Sequence, residues 1–184
     1  IAAGQVQVAN SGGSTALGAV AGGLDLKVIG TFTSRIPFDI VASPSIKEAK
    51  DLRGKRLGIQ GIGGTIWMAG LLGLEHLGLD PRRDSIQVVA AGEQTLLTQA
   101  LERGTVDAIV VDSAFSNMLK GRGYSILVEL SKTNIPFVSN GIIARGGYLQ
   151  QQPDAVRNIV KGWMEGVAFA LSQATIALAL TPAG

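Results

Sequence analysis

The stretch "LGIQGIGGTIW", Leu57–Trp67, runs from an apolar, strand-like segment through a glycine-rich turn into a helix-like segment. Strand, turn and helix in that order form the joint of an α/β fold, and the same alternation continues on both sides of it. Upstream, Val6–Ala9 reads as a short strand, followed by "NSGGS" and a small-residue helix at Ser14–Ala21. Leu26–Phe32 and Phe38–Ala42 are β-rich, and "SIKE" (Ser45–Glu48) has capping-box spacing, opening a short helix that stops at Gly54. Further strands are expected at Arg56–Ile59, Ile86–Ala90, Val106–Val111 and Ser125–Leu130. Helices are expected at Thr65–Leu77, Glu93–Glu102 and Ser113–Leu119. The longest helix runs from Pro153 to about Leu171, with Val156, Ile159, Val160, Trp163, Met164 and Val167 on one stripe. The pattern predicts an α/β fold with mainly parallel sheets.

The glycines of the opening stretch exclude two nucleotide sites. A phosphate-binding P-loop has Gly58, Gly63 and Thr65 in place, but Gly64 stands where its lysine belongs. A dinucleotide fingerprint starts at Gly61 and Gly63, but Ile66 replaces its third glycine. What survives is the physics both share. A helix start leaves amides unpaired and carries about half a positive charge, so it attracts anions without a cationic side chain. A tight turn with an N-cap accounts for Gly63, Gly64 and Thr65 equally well. The arrangement recurs at Asn10, Ser11, Gly12, Gly13 and Ser14. A third helix start carries Asp112, which reads either as an N-cap or as a partner for an amino group on a ligand. Arg35, with Thr33 and Ser34, and Asn140 are further candidates for the same cleft. His76, in a last helical turn, reads as a surface cation, and Glu93 as a complement to a helix dipole or, alternatively, a base. Trp67 and Met68 read as core or cleft wall. No catalytic residue, metal or cofactor is expected.

Composition narrows the classes. A chain of 184 residues, 46% hydrophobic and 16% charged, buries a real core. Cysteine is absent, which excludes disulfides, thiolate metal sites and a cysteine nucleophile. The net charge is +2, and signs alternate in Lys47–Arg56 and Asp80–Ser85, so no stripe suited to nucleic acid forms. Val167–Leu180 is interrupted by Ser172, Gln173 and Thr175 and is too polar to span a bilayer.

"AGQVQVA" (Ala3–Ala9) and "RGTVDAI" (Arg103–Ile109) match in pattern at an offset of one hundred. In the second copy the glycine ends a helix and feeds a strand. By analogy Gly4 ends a helix of which Ile1–Ala3 are the remainder, with a strand and helix expected upstream; an ordinary frayed start is the alternative. Two similar halves suggest two lobes, joined by the extended segments Arg35–Ser45 and Lys132–Ala144, each carrying a Pro-Phe pair. Residues 1–40 are assigned to an incomplete lobe one and 41–137 to lobe two. Residues 138–184 are assigned to the return into lobe one and a C-terminal helix.

"SIKEAKDLRGKRLGIQGIGGTIW", "GLEHLGLDPRRDSIQVV", "LLTQALERGTVDAIVVD" and "QQPDAVRNIVKGWMEG" resemble, in that order, the substrate-binding proteins of ABC importers. The nearest group is that of the nitrate, taurine and aliphatic-sulfonate binding proteins, which share their domain with thiamin-pyrimidine-synthase-like proteins. The resemblance implies a two-lobed type II periplasmic-binding fold. It implies a protein that closes on a small anionic solute (a sulfonate, nitrate or carboxylate, or a heterocycle) and delivers it to a membrane permease; a monomer is expected. It implies a periplasmic protein or an extracellular lipoprotein. In that family the turns matched by Ser11–Ser14 and Gly63–Thr65 contribute to the pocket, and Asp112 matches an acidic position of lobe two. An enzyme on the same scaffold, or a ligand-sensing lobe of a receptor or regulator, are the alternatives.

Overall fold

The computed structural model describes residues 1–31 and 34–180, the side chains of 174–180 excepted. Two sheets organise the chain. The larger has the order β5-β4-β6-β3-β7, formed by β3 (Phe38–Ala42), β4 (Arg56–Ile59), β5 (Gln87–Ala90), β6 (Ala108–Asp112) and β7 (Ser125–Glu129). The smaller, β1-β8-β2, is formed by β1 (Val8–Gly12), β2 (Leu26–Thr31) and β8 (Asn140–Arg145). The helices are α1 (Gly13–Ala21), α2 (Thr65–His76), α3 (Gln94–Glu102), α4 (Ser113–Gly121), α5 (Gly146–Gln151) and α6 (Pro153–Leu180).

The larger sheet is covered on both faces because its central strands are apolar on both. Phe38, Ile40 and Ala42 of β3 pack with Leu57, Ile59, Leu74 and Val110 on the side of α2. Val41 packs with Leu97, Leu101, Ile109 and Leu119 on the side of α3 and α4. The smaller sheet supports a much smaller core, centred on Ala16, Leu26 and Ile143.

Strand direction departs from the expected mainly parallel sheets at two places. β4 pairs in parallel with β5 and β6, but β3 is antiparallel to β6 and β7, and β8 is antiparallel to β1 and β2. The strands that follow crossover helices run one way within each sheet; β3 and β8 are entered without a crossover helix and run the other way. Three local expectations also change. β1 extends to Gly12, so Asn10 and Ser11 are strand residues paired with Ile142 and Gly141, not turn residues. The helix after Ser45 is a single 3-10 turn, Ala49–Leu52. Its start is held by the Asp51 carboxylate accepting the Glu48 and Lys47 amides at 3.0 Å each, not by a Ser45–Glu48 box. The stripe on α6 is buried only at its beginning: Val156 is buried and Trp163 lies over Gly30, but Ile159 and Met164 are exposed. A helix of 28 residues is about 42 Å long, whereas a six-residue strand such as β8 is about 20 Å long, so the helix overshoots its sheet. Phe32 and Thr33 lie outside the described residues.

The offset of one hundred holds in three dimensions. β1 and β6 span residues 8–12 and 108–112, and α1 and α4 span 13–21 and 113–121. Gly4 and Gly104 both take the left-handed conformation, φ +76° and +69°, and donate to the carbonyls of Ile1 and Leu101.

Candidate ligand-binding cleft

The chain passes between the sheets twice, through residues 34–37 and 133–139, and the two crossings are bonded together. The Phe137 amide donates to the Ser34 carbonyl at 2.9 Å. Thr31 Oγ1 donates to the Asn140 carbonyl at 2.9 Å, and Arg35 Nη1 donates to the Ser131 carbonyl at 3.2 Å. Arg35 therefore braces a crossing, and Asn140 opens β8 opposite Gly12.

The start of α1 sits against this joint. The Gly13 amide donates to the Ser139 carbonyl at 3.2 Å, and a methyl group on Gly13 would lie 2.1 Å from the Val138 carbonyl oxygen. A methyl on Gly12 would lie 2.3 Å from Thr65 Oγ1, so the N-cap of α1 abuts the first side chain of α2. Gly63 turns the chain into α2 at φ +83°, which a residue with a side chain rarely adopts, and Gly64 is the extended N-cap. Gly12, Gly13, Ser14, Gly64 and Thr65 are thus brought to one place. Asn10 lies further back along β1 and is exposed.

The repeat makes the chemistry of this place plain. Position 112 is the N-cap of α4, where the Asp112 carboxylate accepts the Ala114 and Phe115 amides at 3.0 and 3.2 Å. Its other oxygen accepts from Gln94 Nε2 at 2.9 Å, and the Asp112 amide donates to Gln94 Oε1 at 2.7 Å. One oxygen of that carboxylate is committed to its own helix and the other to Gln94 of α3. The equivalent residue of α1 is Gly12, which offers no side-chain cap, and no acid stands in the first turn. α2 likewise begins without a side-chain cap or a first-turn acid. Ser14 Oγ is buried with no hydrogen-bond partner. Two neighbouring helix starts therefore carry no side-chain cap and no first-turn acid among the described residues, while the third compensates itself.

Beside them lies a cavity of about 420 Å³, walled by the flanks of α1 and α2, the outer strand β2 and Pro136–Val138. Gly13 and Ser14 form part of its wall, Met68 and Leu72 belong to α2, and Lys27, 3.8 Å from the Asp25 carboxylate, is the one charged side chain among the described lining residues. Sequence reading missed Val138, Ser139 and Leu72. The glycine pair at 12–13 was the available signal, since such bare backbone admits another chain at close range.

Glu93 Oε1 accepts from Gln60 Nε2, and His76 is exposed at the end of α2. Asp39 is buried in β3. Burial pushes its carboxyl above the usual carboxylate range, outweighing the nearby Ser116 hydroxyl and Lys132 ammonium, while Oδ1 and Ser116 Oγ make no hydrogen bond of good geometry.

The family model described as NMT1/THI5 like matches residues 1–176. The chain belongs to the NMT1/THI5-like family. The riboflavin-binding protein RibY of Chloroflexus aurantiacus is 27% identical over 169 residues, covering 91% of this chain and 47% of RibY. The periplasmic aliphatic sulphonate binding protein SsuA from Escherichia coli superposes with a TM-score of 0.75 at 21% identity, over 97% of this chain and 60% of SsuA. The desulfurization enzyme DSZB superposes with a TM-score of 0.64 at 15% identity, over 92% of this chain and 64% of DSZB. The fold is that of the periplasmic binding proteins, and this NMT1/THI5-like chain spans about half the length of RibY.

Proposed function

We propose that this protein binds a small anionic solute between its two lobes and delivers it to an ABC-type membrane permease. It would act in the periplasm or as an extracellular lipoprotein. The supporting observation is the meeting of the uncapped starts of α1 and α2, with Ser14 Oγ buried and unpartnered beside them. A charge-assisted hydrogen bond contributes about 1.5–3 kcal/mol, so four donors supply roughly the 8 kcal/mol of a micromolar site before ordering costs. The similarity to SsuA, a sulphonate-binding protein, and to RibY, a riboflavin-binding protein, supports a small-solute binder. The groups at the bends are amides and hydroxyls, suited to holding an oxyanion and not to breaking bonds, so we read a binder and not an enzyme.

Thermal-shift titration against alkanesulfonates, nitrate, short carboxylates, pyrimidines and riboflavin tests this. A one-site solute at 100 times its Kd adds about 2.7 kcal/mol. Gly64 has φ −83°, and a Cβ there meets only the Gly61 carbonyl oxygen at an ordinary contact distance of 3.5 Å, so Gly64→Leu keeps the fold while covering the α2 amides. The shift disappears in that variant. No stabilising solute, or a shift that survives Gly64→Leu, refutes the reading; a solute chemically altered on recovery shows an enzyme instead.

A further inference from the structure

From Ile66 to Leu74, α2 is apolar round its whole circumference, a pattern that belongs to a helix buried on every side. One flank is buried: Ile66, Ala69, Gly70, Gly73 and Leu74 lie in the core of lobe two. A second, with Met68 and Leu72, faces the cavity already described. The third carries Trp67 and Leu71, which stay half-buried in a separate groove of about 740 Å³, room enough for the side chains of a facing helix. Gly78–Arg83 form the other wall, with Leu79 and Pro81 extending the apolar floor. Four charged residues line this groove, and two of them are spent. Asp80 accepts the Arg82 and Arg83 amides at 2.9 and 2.8 Å, and Arg83 pairs with Asp84 at 2.7 Å. Glu75 on the helix and Arg82 on the opposite wall are exposed and make no ion pair or side-chain hydrogen bond among the described residues. We propose that a second copy of the chain seats on this groove about a twofold axis, making a dimer in place of the expected monomer. A twofold contact sets a surface against itself. Glu75 and Arg82 lie at the same end of α2, so an axis running along the helix brings Glu75 of each copy to Arg82 of the other, while Trp67 and Leu71 close on their counterparts. A partner of one charge sign would set one of the two against its like, whereas the chain's own surface answers both. An apolar centre with a charged rim is also the anatomy of a specific interface. The contact uses a different flank of α2 from the cleft and does not rest on the binding reading.

The test is sedimentation equilibrium of the full chain over a concentration series, in which the mass rises to twice that of the chain. Glu75→Arg and Arg82→Glu, both at exposed positions, keep the circular dichroism of the unmodified chain. Each alone sets like charges across the axis and stays monomeric. Mixed in equal amounts, the two variants have opposite charges at both contacts, and the doubled mass returns. Leu71→Ser, which acts twice in a twofold contact, weakens the dimer by at least about tenfold. A full chain that is monomeric at every concentration overturns the inference and leaves the groove to another occupant. A dimer indifferent to both charge variants overturns its placement here. Single variants that dissociate but do not recombine in the mixture overturn the reciprocal pairing of Glu75 with Arg82, and the twofold contact with it.

Discussion

Gly13→Ala is the most informative single change. Gly13 is the first residue of α1, with a backbone that any residue can adopt, so the effect of a methyl there is purely steric. That methyl would sit 2.1 Å from the Val138 carbonyl oxygen, 2.7 Å from Val138 Cβ and 3.0 Å from Val138 C. Ordinary contacts are about 3.5 Å or more, so the crossing and α1 must separate by more than an ångström. Overpacking of this kind costs about 1–3 kcal/mol, and the displaced Gly13–Ser139 hydrogen bond about 1 kcal/mol more. The sum, about 2–4 kcal/mol, corresponds to a melting-point drop of roughly 4–16 °C in a chain of this length. Scanning calorimetry measures it, with two comparators. Gly12→Ala is milder, because it meets the end of the Thr65 side chain, which can rotate away. Gly18→Ala, with no atom within 4 Å of the added carbon, gains about 0.5–1 kcal/mol from helix propensity. If Gly13→Ala melts with the unmodified protein, the close approach of α1 to the crossing is wrong.

Asp39→Asn is expected to stabilise the protein at neutral pH. The folded carboxyl titrates above its unfolded value of 3.8, so stability falls as pH rises from that value through the raised one; the variant lacks this fall, as denaturant unfolding across pH reads. Acid acts oppositely at Asp107 and Asp84, held low by Arg56 and Arg83: their contribution is complete above the unfolded pKa and is lost as pH drops through the lowered one. Asp107→Asn therefore flattens the acid limb of the stability curve and lowers the plateau at pH 7. Asp112→Ala uncaps α4 and strands Gln94, costing about 1–2 kcal/mol in chemical denaturation. An unchanged midpoint there would show that the cap is not needed.

Most of the frame was legible because strand and helix periods alternate with glycines between them. Phe38–Ala42 and Arg56–Ile59 carry their strand character in apolar residues and match the structure end for end. Direction was less legible: nothing local to Phe38–Ala42 says that β3 opposes its neighbours, because that follows from how the chain crosses between sheets. The same limit shaped the site. Asn10 and Ser11 have turn chemistry, but pairing with Ile142 and Gly141, distant in sequence, draws them into a strand. Asp112 looked like both a cap and a ligand, and only the position of Gln94 in space decides how its oxygens are spent. Gly12 and Gly13 stood out in sequence; that Thr65 and Val138 are what they admit required coordinates.

The bond from Phe137 to Ser34 makes the crossings one mechanical part. Each carries a proline, Pro37 and Pro136, whose ring fixes a backbone torsion. Two stiffened ribbons tied by one backbone bond, at the entry of the first and near the exit of the second, resist sliding and stretching and yield most easily to twist. Relative movement of the two sheets is then steered into a single rotation.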